Sequence, residues 1–108
     1  MNTRLNQLEK DLGRSEAADL LRFAVPFIQD REALLKSLLL SGNLDEAAKC
    51  AHKTLGSIGL YGSARLETLL GEVSGTDRGS KNLVVLQQNL SEEFTSILST
   101  INSWLEDN

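Results

Sequence analysis

Apolar positions recur along the chain at intervals of three and four, the spacing that lines one face of an α-helix. Leu5, Leu8 and Leu12 begin the pattern and Gly13 follows as a stop, which predicts a short helix over residues 3–12. Ser15 is placed to cap the next helix, with Glu16 and Asp19 in its first turn, where the helix dipole favours negative charge. Leu20, Leu21, Ala24, Phe27 and Ile28, then Leu34, Leu35, Leu38 and Leu39, carry that helix to Ser41-Gly42. Pro26 falls inside it. A proline removes one donor and crowds the preceding turn, so a kink near Arg22 to Val25 is expected rather than two unrelated elements.

Asn43, with Glu46 three residues later, has the form of a capping box that opens a helix from Leu44 to about Tyr61. Gly62-Ser63 then allows a bend, with Ser63 able to recap the chain before Leu66, Leu69, Leu70 and Val73. Residues 74–80, Ser-Gly-Thr-Asp-Arg-Gly-Ser, form a polar loop too short for a domain linker. The last stretch sets Leu83, Leu86, Leu90, Phe94, Ile97, Ile101 and Trp104 at spacings of 3, 4, 4, 3, 4 and 3, an amphipathic helix whose stripe, Phe94 and Trp104 included, belongs in the core. Four long segments with short connections, preceded by a small helix, predict an all-α domain over residues 1–108. Its expected form is an antiparallel up-and-down four-helix bundle with a short additional N-terminal helix.

Composition supports this reading, because 41% of the 108 residues are hydrophobic while β-branched and aromatic residues are sparse. The net charge is −4 and no stripe of Lys or Arg is present, which argues against nucleic acid as a partner. Cys50 is the single cysteine, so no intramolecular disulfide forms, and a reducing, cytoplasmic setting is expected with Cys50 an inert thiol at the edge of the buried face. No apolar run reaches the length of a membrane span, and the first twenty residues are too charged for a secretory signal, so a soluble chain making no membrane contact is expected.

The candidate chemistry centres on Ala48 to Gly59, which holds the single histidine, His52. On a helical wheel with His52 at zero, Ala48 falls at about −40°, Gly56 at about +40° and Gly59 at about −20°. The turns beside the imidazole are thus stripped of side chain. Ala47, Ala51, Thr54, Ile58 and Tyr61 gather around the opposite pole, the natural buried face, so His52 points to solvent. One His and one Cys two positions apart cannot supply the converging ligands of a metal site. No hydrolytic triad or glycine-rich phosphate loop is present. What remains is one exposed nucleophile: imidazole is largely unprotonated at cytoplasmic pH and attacks an electrophilic phosphorus without a general base.

His52, Gly56, Ser57, Gly59 and Gly62, preceded by Ala51 and followed by Leu66, resemble the signature of histidine-containing phosphotransfer domains, whose phosphorylated histidine is followed four residues later by glycine. Leu20-Leu21-Arg22-Phe23, Leu34, Leu38 and the acidic Asn43-Leu44-Asp45-Glu46 start resemble them as well, the likeness being strongest over 44–70 and weak after 80. The resemblance implies a four-helix bundle that relays phosphoryl groups between receiver-domain aspartates and His52 in two-component signalling. It implies a carrier rather than an enzyme, with no ATPase or autokinase activity. No cofactor is implied in this chain, Mg2+ belonging to the receiver. Its partner would be a response regulator or a hybrid histidine kinase, met as a monomer and either free-standing or as part of such a kinase. The alternative reading is a degenerate helical adaptor that binds a receiver or kinase through the same face without carrying phosphate.

One position departs from the family. Lysine is common three residues after the histidine, and here that place is Leu55, with Lys49 and Lys53 as the nearby cations of the phosphate environment. Helical side chains lean toward the N-terminus, so a lysine at 55 would tilt back over the imidazole, whereas Lys49 leans away and Lys53 lies about 100° around the helix. Transfer is expected to be slower or more selective rather than absent. Ala48, Leu55, Gly56 and Gly59 are assigned to access and receiver docking, with Leu55 joining Leu44 and Leu66 in an apolar rim.

Overall fold

The computed structural model describes residues 3–59, 62–75 and 83–106. Among these the chain is all-helical, with α1 Thr3–Leu12, α2 Arg14–Leu40, α3 Leu44–Ser57, α4 Ala64–Ser74 and α5 Leu83–Glu106. Gly13 breaks α1 from α2 in a single residue. Its φ of 84° is a left-handed conformation open to glycine, and its N–H closes α1 on the Glu9 carbonyl at 2.8 Å. Because one residue completes that turn, α2 restarts at Arg14, and Ser15 lies inside the helix instead of capping it. Pro26 is exposed and sits within an unbroken α2, which tolerates the hydrogen bond that the missing N–H cannot make.

At the far end of α2 the chain reverses through Ser41, Gly42 and Asn43. Gly42 takes φ 76°, its N–H bonds to Leu39 O at 3.2 Å, and the Asn43 N–H reaches Leu38 O at 2.9 Å, the paired bonds of a Schellman stop. Asn43 does occupy the N-cap position of α3, but its side chain makes no capping hydrogen bond. With ψ at 71° it lacks the extended conformation that aims a cap side chain at the first free amides. Ser63 behaves as its sequence position predicts: its hydroxyl accepts from the Leu66 N–H at 3.0 Å and donates to Glu93 Oε1 at 2.7 Å, capping α4 and tying it to α5.

α2 packs against α1, α3 and α5, and α4 packs against α3 and α5. Leu5 and Leu8 of α1, Leu21, Ile28 and Leu35 of α2, Leu66, Leu70 and Val73 of α4, and Leu86, Leu90, Phe94 and Ile101 of α5 merge into one buried cluster. The helix α3 contributes only small side chains to it, Ala47, Cys50 and Ala51. Its backbone therefore lies close to its neighbours while its outer face stays clear. Trp104 is half-buried, packed on the cluster's edge with the Arg14 guanidinium over its ring at 4.8 Å, so the end of the α5 stripe is amphipathic where a fully buried ring was expected. The expected loop at 74–80 lies largely outside the described residues; Ser74 ends α4 and Gly75 closes on the Gly71 carbonyl at 2.8 Å. No described helix is long and apolar enough to cross a membrane.

Candidate functional site

The buried face of α3 is the one that its periodicity predicts: Ala47, Ala51, Thr54 and Ile58 are each buried, while Tyr61 lies outside the described residues. Thr54 satisfies its buried hydroxyl within the helix, donating to the Cys50 carbonyl at 2.7 Å. With that face committed to the core, His52 is exposed on the opposite one, and no described residue hydrogen-bonds its imidazole. One turn on, Gly56 is exposed, and a Cβ there would meet nothing within 4 Å. Ala48, one turn back, is half-buried and presents a single methyl. The imidazole thus stands on a helix face cleared of side chain both above and below it.

Two members of the expected site lie elsewhere. The helix ends at Ser57, not Tyr61, because Gly56 lowers helix propensity and the Ser57 hydroxyl turns back onto the Thr54 carbonyl at 3.0 Å. Gly59 consequently sits in the turn after the helix, where it borders a shallow pocket of about 100 Å³ with Arg4, Gln7, Leu8 and Asp11 of α1. Leu66 is 1% exposed, a core residue of α4, and so has no place in an exposed apolar rim; Leu44 and Leu55 are half-buried, packed on the core's edge.

Exposed apolar side chains do occur on α2, as they do at Leu12 of α1 and at Val84 and Val85 of α5. Phe23 is 79% exposed and Leu34 is also exposed, with Phe27 and Leu38 half-buried on the same flank. The helix α2 carries two apolar stripes. One, through Leu21, Ala24, Ile28, Leu35 and Leu39, fills the core; the other, through Leu20, Phe23, Phe27, Leu34 and Leu38, lies beside it around the helix, and its Leu34 and Leu38 face α3. The sequence signal for the second is the width of the pattern, since adjacent pairs such as Phe27-Ile28 and Leu34-Leu35 cannot both lie on one narrow stripe.

Between α2 and α3, Leu34 and Leu38 border a groove of about 210 Å³, lined also by Arg31, Glu46, Lys49, Cys50 and Lys53. Lys49 pairs with Glu46 at 3.4 Å in an exposed contact, and Lys53 forms no ion pair with a described residue. The Arg31 guanidinium lies over the Phe27 ring at 4.9 Å and approaches the buried Cys50 sulfur at 3.7 Å. Lys49 and Lys53 therefore both open onto the α2 side of α3, and Leu55 lies on the other side of His52 around the helix. Among the described residues no three His, Cys, Asp or Glu side chains converge as metal ligands. The arrangement offers a nucleophile without a neighbouring acid, base or ligand set, suited to meeting an electrophile that another molecule brings.

No family model, curated protein or solved structure matches this chain.

Proposed function

We propose that the chain is a phosphoryl carrier of the histidine-containing phosphotransfer kind, with His52 as the phosphoacceptor. On this reading α2 to α5 form an antiparallel up-and-down four-helix bundle and α1 is the additional helix. The observation that carries it is the pairing of an exposed His52 with Gly56, whose missing side chain faces open space one turn along the same face. A glycine inside a helix costs about 1 kcal/mol relative to alanine, so a bare turn beside the only imidazole calls for a use, and access is the simplest.

In the transfer, an unprotonated ring nitrogen of His52 attacks the phosphorus of an aspartyl phosphate on a receiver domain. The N–P bond forms as the P–O bond to the aspartyl carbonyl breaks, and the carboxylate leaves with the bonding pair. The reverse step returns the group to a second receiver. The receiver supplies Mg2+ for both steps. This chain supplies the nucleophile, an open approach, and an apolar landing surface, the Phe23, Phe27 and Leu34 flank of α2. The carrier acts as a cytoplasmic monomer and has no hydrolytic chemistry of its own.

Incubating the chain with radiolabelled phospho-receivers tests this: label should move to it as an acid-labile, base-stable adduct and be absent from His52→Gln. Label on His52→Gln, or none on the wild type from any receiver of the source genome, overturns the relay. A receiver that binds without transferring would point to the adaptor reading.

A further inference from the structure

Arg31 is a half-buried guanidinium whose neighbours among the described residues are a thiol and an aromatic ring, with no carboxylate paired to it. It lines the α2–α3 groove together with Lys49 and Lys53, and Glu46 is the carboxylate among the lining residues. Three cations thus share one groove in a chain of net charge −4. Like charges repel when crowded, and this cluster is answered by a single carboxylate that is already engaged with Lys49 at 3.4 Å. Neither the thiol nor the ring uses the fork of N–H donors that guanidinium offers to oxyanions. The groove is short of an anion.

His52 itself does not line the groove; on α3 the lining runs through Lys49, Cys50 and Lys53. Lys49 and Lys53 lie at about +60° and +100° from the histidine, and Gly56, at about +40°, puts no side chain between them. On the other flank, Leu55 gives no charge. We propose that the phosphoryl group on His52 turns toward the α2 flank and is held there by the groove cations, with Arg31 of α2 as the residue that contacts it from across the groove. Arg31 then does from a second helix what a lysine at position 55 would do from the first. This inference rests on His52 being the phosphoacceptor, and the test separates the two.

Phosphoramidate phosphorylates exposed imidazole chemically, with no receiver present, so the intact chain can be loaded at His52 and titrated by phosphorus NMR. Nearby cations favour the more negative form of the phosphorylated ring and lower the midpoint of the titration. Arg31→Gln should raise that midpoint by roughly half a pH unit, the size expected for one charge several ångströms away at a protein surface. Arg31→Lys, which keeps the charge, should recover most of the shift, and Lys53→Gln should move the midpoint in the same direction as Arg31→Gln. Lys36→Gln, which removes a cation from the α5 side of α2, should leave it unchanged. Helical content by circular dichroism checks that each variant folds. A midpoint in folded Arg31→Gln equal to that of wild type, or a shift of the same size in Lys36→Gln, overturns the proposal. If the Arg31 shift appears in a chain that no receiver will label, the relay fails and the anion site stands; if receivers label the chain but the shift is missing, the anion site alone fails.

Discussion

Gly62 lies tight against Ile58: its N–H donates to the Ile58 carbonyl at 2.7 Å, and a Cβ on Gly62 would stand 2.8 Å from that same oxygen. The contact closes the turn between α3 and α4, so it fixes where the histidine helix ends. Gly62→Ala forces the turn backbone apart, and a loss of about 1 to 3 kcal/mol is expected from the overpacking. Gly56 is the reverse case, because a side chain there meets nothing within 4 Å. Gly56→Ala should stabilise the fold by up to about 1 kcal/mol, through helix propensity. Thermal unfolding of the two variants checks the pair, and a Gly56→Ala that melts below wild type would refute the open-face description.

Bulk at position 56 should cost function and leave the fold intact. In Gly56→Leu the side chain leans N-terminally, over His52, and closes the cleared turn. Transfer from a phospho-receiver should fall by an order of magnitude or more, while circular dichroism and the melting temperature stay at or above wild type. Normal transfer in that variant would remove the access argument.

The cap of α4 is a third test point. Ser63→Ala removes the hydroxyl that accepts from Leu66 N–H at 3.0 Å and bonds Glu93 at 2.7 Å, leaving Glu93 with the Arg65 guanidinium at 3.3 Å. A loss of about 1 to 2 kcal/mol is expected. In a domain of this size that lowers the melting temperature by roughly 4 to 8 °C per kcal/mol.

The parts legible in the sequence were those set by strict periodicity. The buried face of α3 and the core positions of α4 and of α5 from Leu86 to Ile101 follow from spacing, and the Ser63 cap from a hydroxyl placed just before the apolar run. The misreadings fall where two requirements share a stretch. Gly13 both ends α1 and caps α2, which leaves Ser15 two residues too far along. Around Gly56 to Gly59 the apolar pattern runs on while the helix stops, because Ile58 stays in the core from a turn just as it would from a helix. The α2 flank was hidden because periodicity merges two adjacent stripes into one. Arg31 was not legible because its groove partners Cys50, Lys49 and Lys53 come from another helix, with Phe27 sharing its own.

The second stripe of α2 leads to a docking prediction. Phe23, at 79%, is the most exposed large apolar side chain among the described residues. Removing it should change stability by no more than about 0.5 kcal/mol, the usual range for surface sites. If receivers land there, an exposed aromatic is the type of residue that carries interface energy, and Phe23→Ala should raise the receiver concentration for half-maximal transfer roughly tenfold. The transfer rate at saturating receiver should be unaltered. Substituting Val84, an exposed apolar residue at the start of α5, serves as the control and should leave both quantities unchanged.

Leu55 provides the last test, because it stands three residues after His52, where histidine-containing phosphotransfer domains commonly carry lysine. The side chain is half-buried against the core's edge, so Leu55→Lys exchanges some apolar contact for charge, and the lysine stem can cover the same surface while its ammonium reaches solvent. From that position the ammonium leans back over the imidazole and meets the developing charge of the phosphoryl group in transit. An exposed charge pair contributes about 0 to 1 kcal/mol, so transfer should accelerate by up to roughly fivefold. Stopped measurements of label transfer from one receiver to wild type and variant read this directly. An equal or slower rate would mean that the α2-side cations already meet the charge requirement, and that Leu55 belongs to packing rather than to transfer.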